Sequence, residues 1–133
     1  MDLFADSSRK GVLEMFRGSQ QRRIRGIVDE LVANSLDAGA KNIKTEIRHL
    51  GDCFEITVED DGRGMGPEVV RQVQRLLSQP RRDELEEYYG DLAGVSEFAS
   101  GLNTVGFMVD EAEVTSHPGK GTKVTVKRIC SVK

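Results

Sequence analysis

The chain has 133 residues, of which 38% are hydrophobic and 31% are charged, and its formal net charge is -3. This length gives room for one domain with a hydrophobic core, and the lack of a positive field argues against a nucleic-acid partner. No apolar run approaches the roughly 18–20 residues of a membrane span, and no signal peptide is visible. We therefore expect a cytoplasmic protein with no membrane partner.

The first stretch of the chain, residues 1–19, predicts an arm or a short helix in front of a domain over residues 20–133. From residue 20 to residue 38 the pattern is helical, because apolar side chains recur on one helix face. Gly39 is a natural stop for this helix. Ile24, Ile27, Val28, Leu31 and Ser35 form the predicted buried face.

A second, polar face of the same helix carries Glu30, Asn34 and Asp37. Their spacing of four and then three residues places them on one side of a helix. Because this face is separate from the apolar one, it can line a cleft while the helix stays packed on the core.

After the helix the period of the pattern changes to two, which is typical of strands. Residues 43–48 and 54–59 alternate around a turn at Gly51 and predict a β-hairpin. The second strand continues directly into Asp60-Asp61-Gly62-Arg63-Gly64-Met65. Pro67 then suits the first turn of a new helix.

The stretch over residues 78–100 is irregular and predicts a lid beside the cleft. Gly101 and Leu102 open a short helix, and alternating strands over residues 111–116 and 123–130 form a second hairpin. The order of elements predicts an α+β fold with helices laid on one face of a sheet.

The polar residues of this layout suggest a nucleotide site. Asn34 is suited to give a neutral oxygen to Mg²⁺, which takes few protein ligands, and Glu30 to accept a proton from water near a phosphoryl group. Asp60 is suited to accept the amino hydrogen of a purine. Taken singly, each pattern also fits an ordinary surface acid or turn.

Glycine and threonine positions complete the predicted site. Gly62 and Gly64 would keep the backbone close to a flat base, because a Cβ would crowd it. Gly101, at the start of a helix, would offer N–H groups to phosphates. Thr122, after Gly119-Lys120-Gly121, would bond the base or a water beside it.

The order and spacing of these motifs resemble the GHKL ATP-binding superfamily, which includes DNA gyrase B, the ninety-kilodalton heat-shock chaperone, histidine kinases and MutL. Residues 29–40 look particularly like MutL, whereas the half from Gly101 to Thr122 is more similar to the small anti-sigma-factor serine kinases. The resemblance implies a two-layer α/β sandwich of the Bergerat type, with a mixed sheet and ATP under a lid.

The resemblance also implies roles for individual residues. It assigns Asn34 to Mg²⁺ and Glu30 to the general base. The predicted nucleotide-binding residues are Asn34, Asp37, Asp60, Gly62, Gly64, Met65, Gly101, Leu102 and Thr122. The chain departs from the family pattern in the motif that contacts the phosphates. That motif usually contains several glycines, and here it contains only Gly101.

The expected function is ATP–Mg²⁺ binding by a regulatory protein kinase or ATPase that acts on, or sequesters, a protein partner. A homodimer is also in keeping with the resemblance. Two alternatives remain: a non-catalytic binding module that uses nucleotide to set its shape, which the sparse phosphate box favours, and a MutL-like DNA-repair ATPase domain.

Overall fold

The computed structural model describes the backbone of residues 3–82 and 98–130 and the side chains of residues 18–82 and 101–130. The predicted α+β class is confirmed. The elements in chain order are α1 (Leu3–Asp37), β1 (Ile43–Leu50), β2 (Cys53–Asp60), α2 (Pro67–Leu77), α3 (Phe98–Met108), β3 (Glu111–Ser116) and β4 (Thr122–Ile129). Most of the predicted lid lies outside the described residues, and its last three positions belong to α3.

The four strands form one sheet in the order β1-β2-β4-β3. Both predicted hairpins are present, and Gly51 adopts a φ of 66° in the first turn. The resemblance implied a mixed sheet, but every pairing among the described strands is antiparallel. The reason is that β3 runs parallel to β2 while its hairpin partner β4 lies between them, so no two parallel strands are neighbours.

Helix α1 runs without a break from Leu3 to Asp37, so the predicted separate element over residues 1–19 is continuous with it. It ends as predicted at Gly39, whose φ of 74° is the left-handed conformation that glycine favours. The amide of Ala40 closes the last turn by donating to the carbonyl of Ser35 at 3.1 Å. In the described parts of the chain, α1 included, no helix combines the length and apolarity needed to cross a bilayer.

The three helices cover one face of the sheet and leave the other polar. The core between the layers contains Ile24, Ile27, Leu31, Ile56, Val58, Val73, Leu77, Leu102, Val105, Met108, Val124 and Val126. The opposite face of the sheet presents charged and hydroxyl side chains such as Glu46, Thr57 and Lys123. Burial alternates along β2, β3 and β4, as a sheet buried on one face requires, and this produces the predicted two-layer arrangement. The edge strand β1 is exposed at seven of its eight residues.

One charged side chain, Arg128, lies inside the core layer with only 1% of its surface exposed. Its guanidinium donates to the carbonyl of Met108, at the end of α3, at 2.7 Å and to the Gln20 amide oxygen of α1 at 3.0 Å. A buried charge is tolerated only when it is hydrogen-bonded. These bonds join both helices to β4 at the end of the sheet far from Asp60.

Candidate functional site

A cavity of about 330 Å³ opens between α1, α2 and the ends of β2 and β4. This volume lies at the lower end of the range for small-molecule sites, roughly 300–1,000 Å³. Its walls are mainly apolar, with contributions from Leu31, Val58, Val73 and Val124. The predicted site residues that line it are Asn34, Asp37, Asp60, Gly64, Met65, Leu102 and Thr122. Glu30, Gly62 and Gly101 lie just outside its lining.

Asp60 is held rigidly at the end of β2. The Ser35 hydroxyl donates to its Oδ2 at 2.6 Å, and the Gly62 amide donates to its Oδ1 at 2.8 Å. The carboxylate therefore faces the cavity in a fixed orientation, with lone pairs left to accept a hydrogen bond from a ligand. Sequence reasoning placed Ser35 in the apolar stripe and missed this contact, although a buried hydroxyl in such a stripe must find a partner.

Thr122 lies beside Asp60 because the two residues are directly paired between β2 and β4. Its hydroxyl is 2.8 Å from that of Ser116, the paired residue on β3. The Ser116 Oγ also accepts a hydrogen bond from the Met65 amide at 2.8 Å and donates to the Gly121 carbonyl at 3.0 Å. Ser116 thus fixes one end of the cavity, and the sequence offered only its place at the end of an alternating strand to indicate this.

The glycines of the site lie against protein atoms. A Cβ on Gly62 would come within 3.0 Å of Ala38 atoms and of the Asp60 carboxylate. At Gly64, where φ is 70°, a Cβ would collide with the His117 carbonyl, and at Gly121, where φ is 81°, with the Asp60 carbonyl. Glycine is required at these positions because neighbouring backbone segments approach closely. The sequence had predicted a different requirement, which was close contact with a base.

Asn34 faces the cavity from α1 with its amide only partly satisfied. Its Nδ2 is buried and has no hydrogen-bond partner among the described residues. Buried polar atoms normally have a partner, so the Asn34 Nδ2 is an exception. Asp37, one turn later, is exposed, and its carbonyl accepts a hydrogen bond from the Arg63 guanidinium at 2.8 Å. Arg63 also lines the cavity.

Glu30 is 8% exposed and lies between α1 and α3. Burial, reinforced by the negative charge of Asp29, raises the pKa of the Glu30 carboxyl above its usual value. The carboxylate abuts Gly101, and a Cβ on that glycine would overlap Oε2. The predicted polar face of α1 is therefore divided, with Asn34 and Asp37 at the cavity and Glu30 against the neighbouring helix.

Gly101 does not open α3, because the helix begins at Phe98 and Gly101 is its fourth residue. A contact of the Gly101 amide with phosphates stays a prediction. Leu102 is buried and forms part of the cavity wall as predicted.

Residues 19–130 match the family described as "Histidine kinase-, DNA gyrase B-, and HSP90-like ATPase". The DNA mismatch repair protein MutL of Clostridium perfringens is 36% identical over 90 residues, which is 68% of this chain and 12% of that protein. MutL of Halobacterium salinarum is 33% identical over 120 residues, or 86% of this chain and 18% of that protein. The chain thus spans less than a fifth of the length of either relative.

Among solved structures, the histidine kinase domain from the Erythrobacter litoralis EL346 blue-light activated histidine kinase aligns with 81% of this chain and 43% of its own. The sequence identity is 23% and the TM-score is 0.45. The family match covers the described strands, α2, α3 and the part of α1 that bears the polar face. The chain therefore belongs to the histidine kinase-, DNA gyrase B- and HSP90-like ATPase family.

Proposed function

We propose that the cavity binds ATP together with Mg²⁺, with the adenine ring between the apolar walls and its amino group on Asp60. The observation that carries this proposal is the anchoring of Asp60 at the end of an apolar cavity by Ser35 and the Gly62 amide. A fixed acceptor in an apolar pocket binds a flat heterocycle that bears a hydrogen-bond donor, and such contacts provide specificity.

Asn34 is the residue that we propose as the magnesium ligand. Its side-chain amide is buried beside the cavity with Nδ2 unpaired among the described residues, and a half-turn about χ2 would present Oδ1 at the same place. Magnesium keeps most of its waters and takes few protein ligands, so a single amide oxygen suits it. Bound Mg²⁺ would offset the negative charge of the phosphates.

Glu30 is the group that we propose as the proton acceptor in ATP hydrolysis. A water oxygen bonds to the γ-phosphorus as the bond to the β,γ-bridging oxygen breaks, the water proton passes to the Glu30 carboxylate, and ADP and phosphate are the products. The burial that raises the pKa of Glu30 makes its carboxylate a stronger base at neutral pH.

In the cell, we propose that the domain is a regulator that uses ATP to phosphorylate or sequester a protein partner, as the resemblance to anti-sigma-factor kinases implies. A second candidate is a part of a DNA-repair ATPase. It is favoured by the similarity to MutL over 68% of this chain. The two functions differ in where the γ-phosphate goes, which is to a protein hydroxyl in a kinase and to water in an ATPase. Separating free from protein-bound phosphate after incubation with labelled ATP distinguishes them.

Calorimetric titration with ATP and Mg²⁺ tests the proposed site directly. The variant Asp60→Asn should bind ATP about tenfold or more weakly, because a hydrogen bond to a charged group contributes roughly 1.5–3 kcal/mol. Asp61→Asn is the matched control, since Asp61 is the next residue and its carboxylate accepts hydrogen bonds from Lys41 and Asn42.

Two outcomes of this titration would contradict the proposal. One is the absence of ATP binding to the unmodified chain at millimolar ligand. The other is equal weakening in the Asp60 and Asp61 variants, which would show that the loss comes from the loop and not from the carboxylate in the cavity.

A further inference from the structure

The contact between Glu30 and Gly101 joins two helices at a point where one of them lacks a side chain. Gly101 is buried in the surface of α3 that faces α1, next to Leu102, which is 2% exposed. A Cβ added there would overlap the Glu30 Oε2 and lie 3.3 Å from its Cδ. The carboxylate thus occupies the space that an alanine methyl group would fill.

Glycine inside a helix requires an explanation, because it destabilises the helix by about 1 kcal/mol relative to alanine. Helix α3 contains two glycines, and Gly106 is explained by packing, since a Cβ there would collide with the backbone carbonyl of Leu76. At Gly101 the atoms that a Cβ would meet belong to the end of a flexible side chain, Glu30. Helix packing therefore tolerates alanine at position 101, whereas the present location of the carboxylate does not.

We propose that Gly101 is a positioning residue for Glu30, which leaves open the place between α1 and α3 that the carboxylate occupies. This inference rests on the proposed role of Glu30 as proton acceptor. Alanine at position 101 would turn the carboxylate away from α3 and toward water, so that its distance from the cavity and its solvation would both change. The glycine would then act on catalysis through Glu30, without contacting the phosphates itself.

The test compares Gly101→Ala with Gly18→Ala, a matched glycine in α1 whose added Cβ would meet, among the described residues, Arg22 at 3.7 Å, an ordinary contact. Carboxyl-carbon NMR, with the Glu30 signal assigned from its loss in Glu30→Gln, follows the titration of this residue. In Gly101→Ala the midpoint should move to lower pH, because the carboxylate becomes more hydrated. In Gly18→Ala the midpoint of the Glu30 titration should not change.

The same variants separate binding from turnover. Gly101→Ala should keep its ATP affinity within about twofold and lose about tenfold to a hundredfold in single-turnover hydrolysis, in line with the contribution of a general base. In a Glu30→Gln background, Gly101→Ala should have no further effect on the rate, because residues that act through one another are not additive.

An unchanged Glu30 midpoint in Gly101→Ala would overturn the inference. So would a loss of ATP affinity that persists in the Glu30→Gln background, since this would place Gly101 at the phosphates. If the unmodified chain binds no ATP, the proposed function fails, yet the NMR titration still decides whether Gly101 positions Glu30. The failures of the two proposals are therefore distinguishable.

Discussion

Asp60 and Asp61 are adjacent in the sequence but stabilise different parts of the molecule. Asp60 faces the cavity, whereas the exposed Asp61 accepts hydrogen bonds from the Asn42 side chain at 2.7 Å and from the amides of Lys41 and Asn42 at 2.8 and 2.9 Å. These bonds lower the pKa of Asp61 from 3.8 to about 2. Asp61 therefore fastens the start of the glycine-containing loop to the segment between α1 and β1.

We expect Asp61→Ala to destabilise the fold at neutral pH but not in strong acid. Because the folded-state pKa is lowered to about 2, the stabilising contribution of this carboxylate is present above its unfolded pKa and is lost as the pH falls through the folded value. Thermal unfolding of the unmodified chain and of Asp61→Ala, followed by circular dichroism from neutral pH down to about pH 2, should show melting temperatures that converge in acid. Glu113→Ala, an exposed strand residue, is the control. A difference in melting temperature between the unmodified chain and Asp61→Ala that stays constant with pH would show that ionisation of Asp61 is not its cause.

At the level of single residues, the sequence predicted the groups that line the cavity better than the groups that hold them. Asn34, Asp60 and Thr122 carry chemistry that their motif spacing makes visible. Ser35 and Ser116 position these groups, but a serine hydroxyl has no pattern of its own, and its partner is decided by strand register.

At the level of elements, Arg128 connects β4 to the end of α3 and to α1. Its hydrogen bonds to the Met108 carbonyl and to Gln20 stabilise the side of the core that lies away from the cavity. The pattern of strand β4 places Arg128 on the buried face, together with Val124 and Val126. The alternation of the sequence indicates this position, but the partners of the guanidinium come from helices distant in the chain.

Replacing Arg128 by Met should lower the free energy of unfolding by roughly 2–3 kcal/mol, because the buried Met108 carbonyl and the Gln20 amide would each lose a charged donor. Urea denaturation measures this change. The control Arg48→Met removes a solvent-exposed arginine, 3.6 Å from Glu55, and should cost less than about 1 kcal/mol. Equal losses of unfolding free energy in the two variants would show that the buried position of Arg128 does not increase its contribution to stability.

The strands were more predictable than the helix boundaries. Period-two alternation predicts the existence of the strands and the buried face of β2 and β4. It does not predict that the edge strand β1 is exposed at seven of its eight residues. The backbone of α1 continues through Gly11 and Gly18, since glycine weakens a helix without ending it. The start of α3 at Phe98 lies inside the stretch that the sequence predicted as a lid.

At the level of the whole molecule, the cavity lies between layers, so a ligand in it contacts α1, α2 and the sheet at once. A ligand that binds only the folded chain stabilises it by mass action. At a concentration a hundred times the dissociation constant, ATP with Mg²⁺ should add about 2.7 kcal/mol to the free energy of unfolding.

Chemical denaturation at several ATP concentrations, with Mg²⁺ and with a chelator in its place, measures this stabilisation. It should grow with the logarithm of ATP concentration and decrease when Mg²⁺ is removed. The Asp60→Asn variant should require correspondingly more ATP for the same effect. A stability that does not depend on ATP, in conditions where the chain is folded, would contradict binding at the cavity.

The overall architecture followed from the sequence because the order of helical and alternating segments leaves few ways to cover one sheet face. The antiparallel pairing of β2 with β4 did not follow, since the placement of β4 between β2 and β3 depends on contacts between distant segments. The sequence also did not predict that the polar face of α1 is divided between the cavity and α3, because this division arises where α3 packs against Glu30.

The close approach of Gly64 to the His117 carbonyl and of Gly121 to the Asp60 carbonyl has a consequence for how this chain tolerates mutation. At both positions the added Cβ would collide with a main-chain carbonyl, which no side-chain substitution elsewhere removes. The positive φ also excludes most other residues. In a library of all single substitutions selected for a folded product, these two positions should therefore accept almost nothing but glycine, even when no nucleotide is supplied. A Cβ on Gly66, two residues after Gly64, would meet no atom of the described residues within 4 Å, and its φ is -74°, so this position should vary more freely.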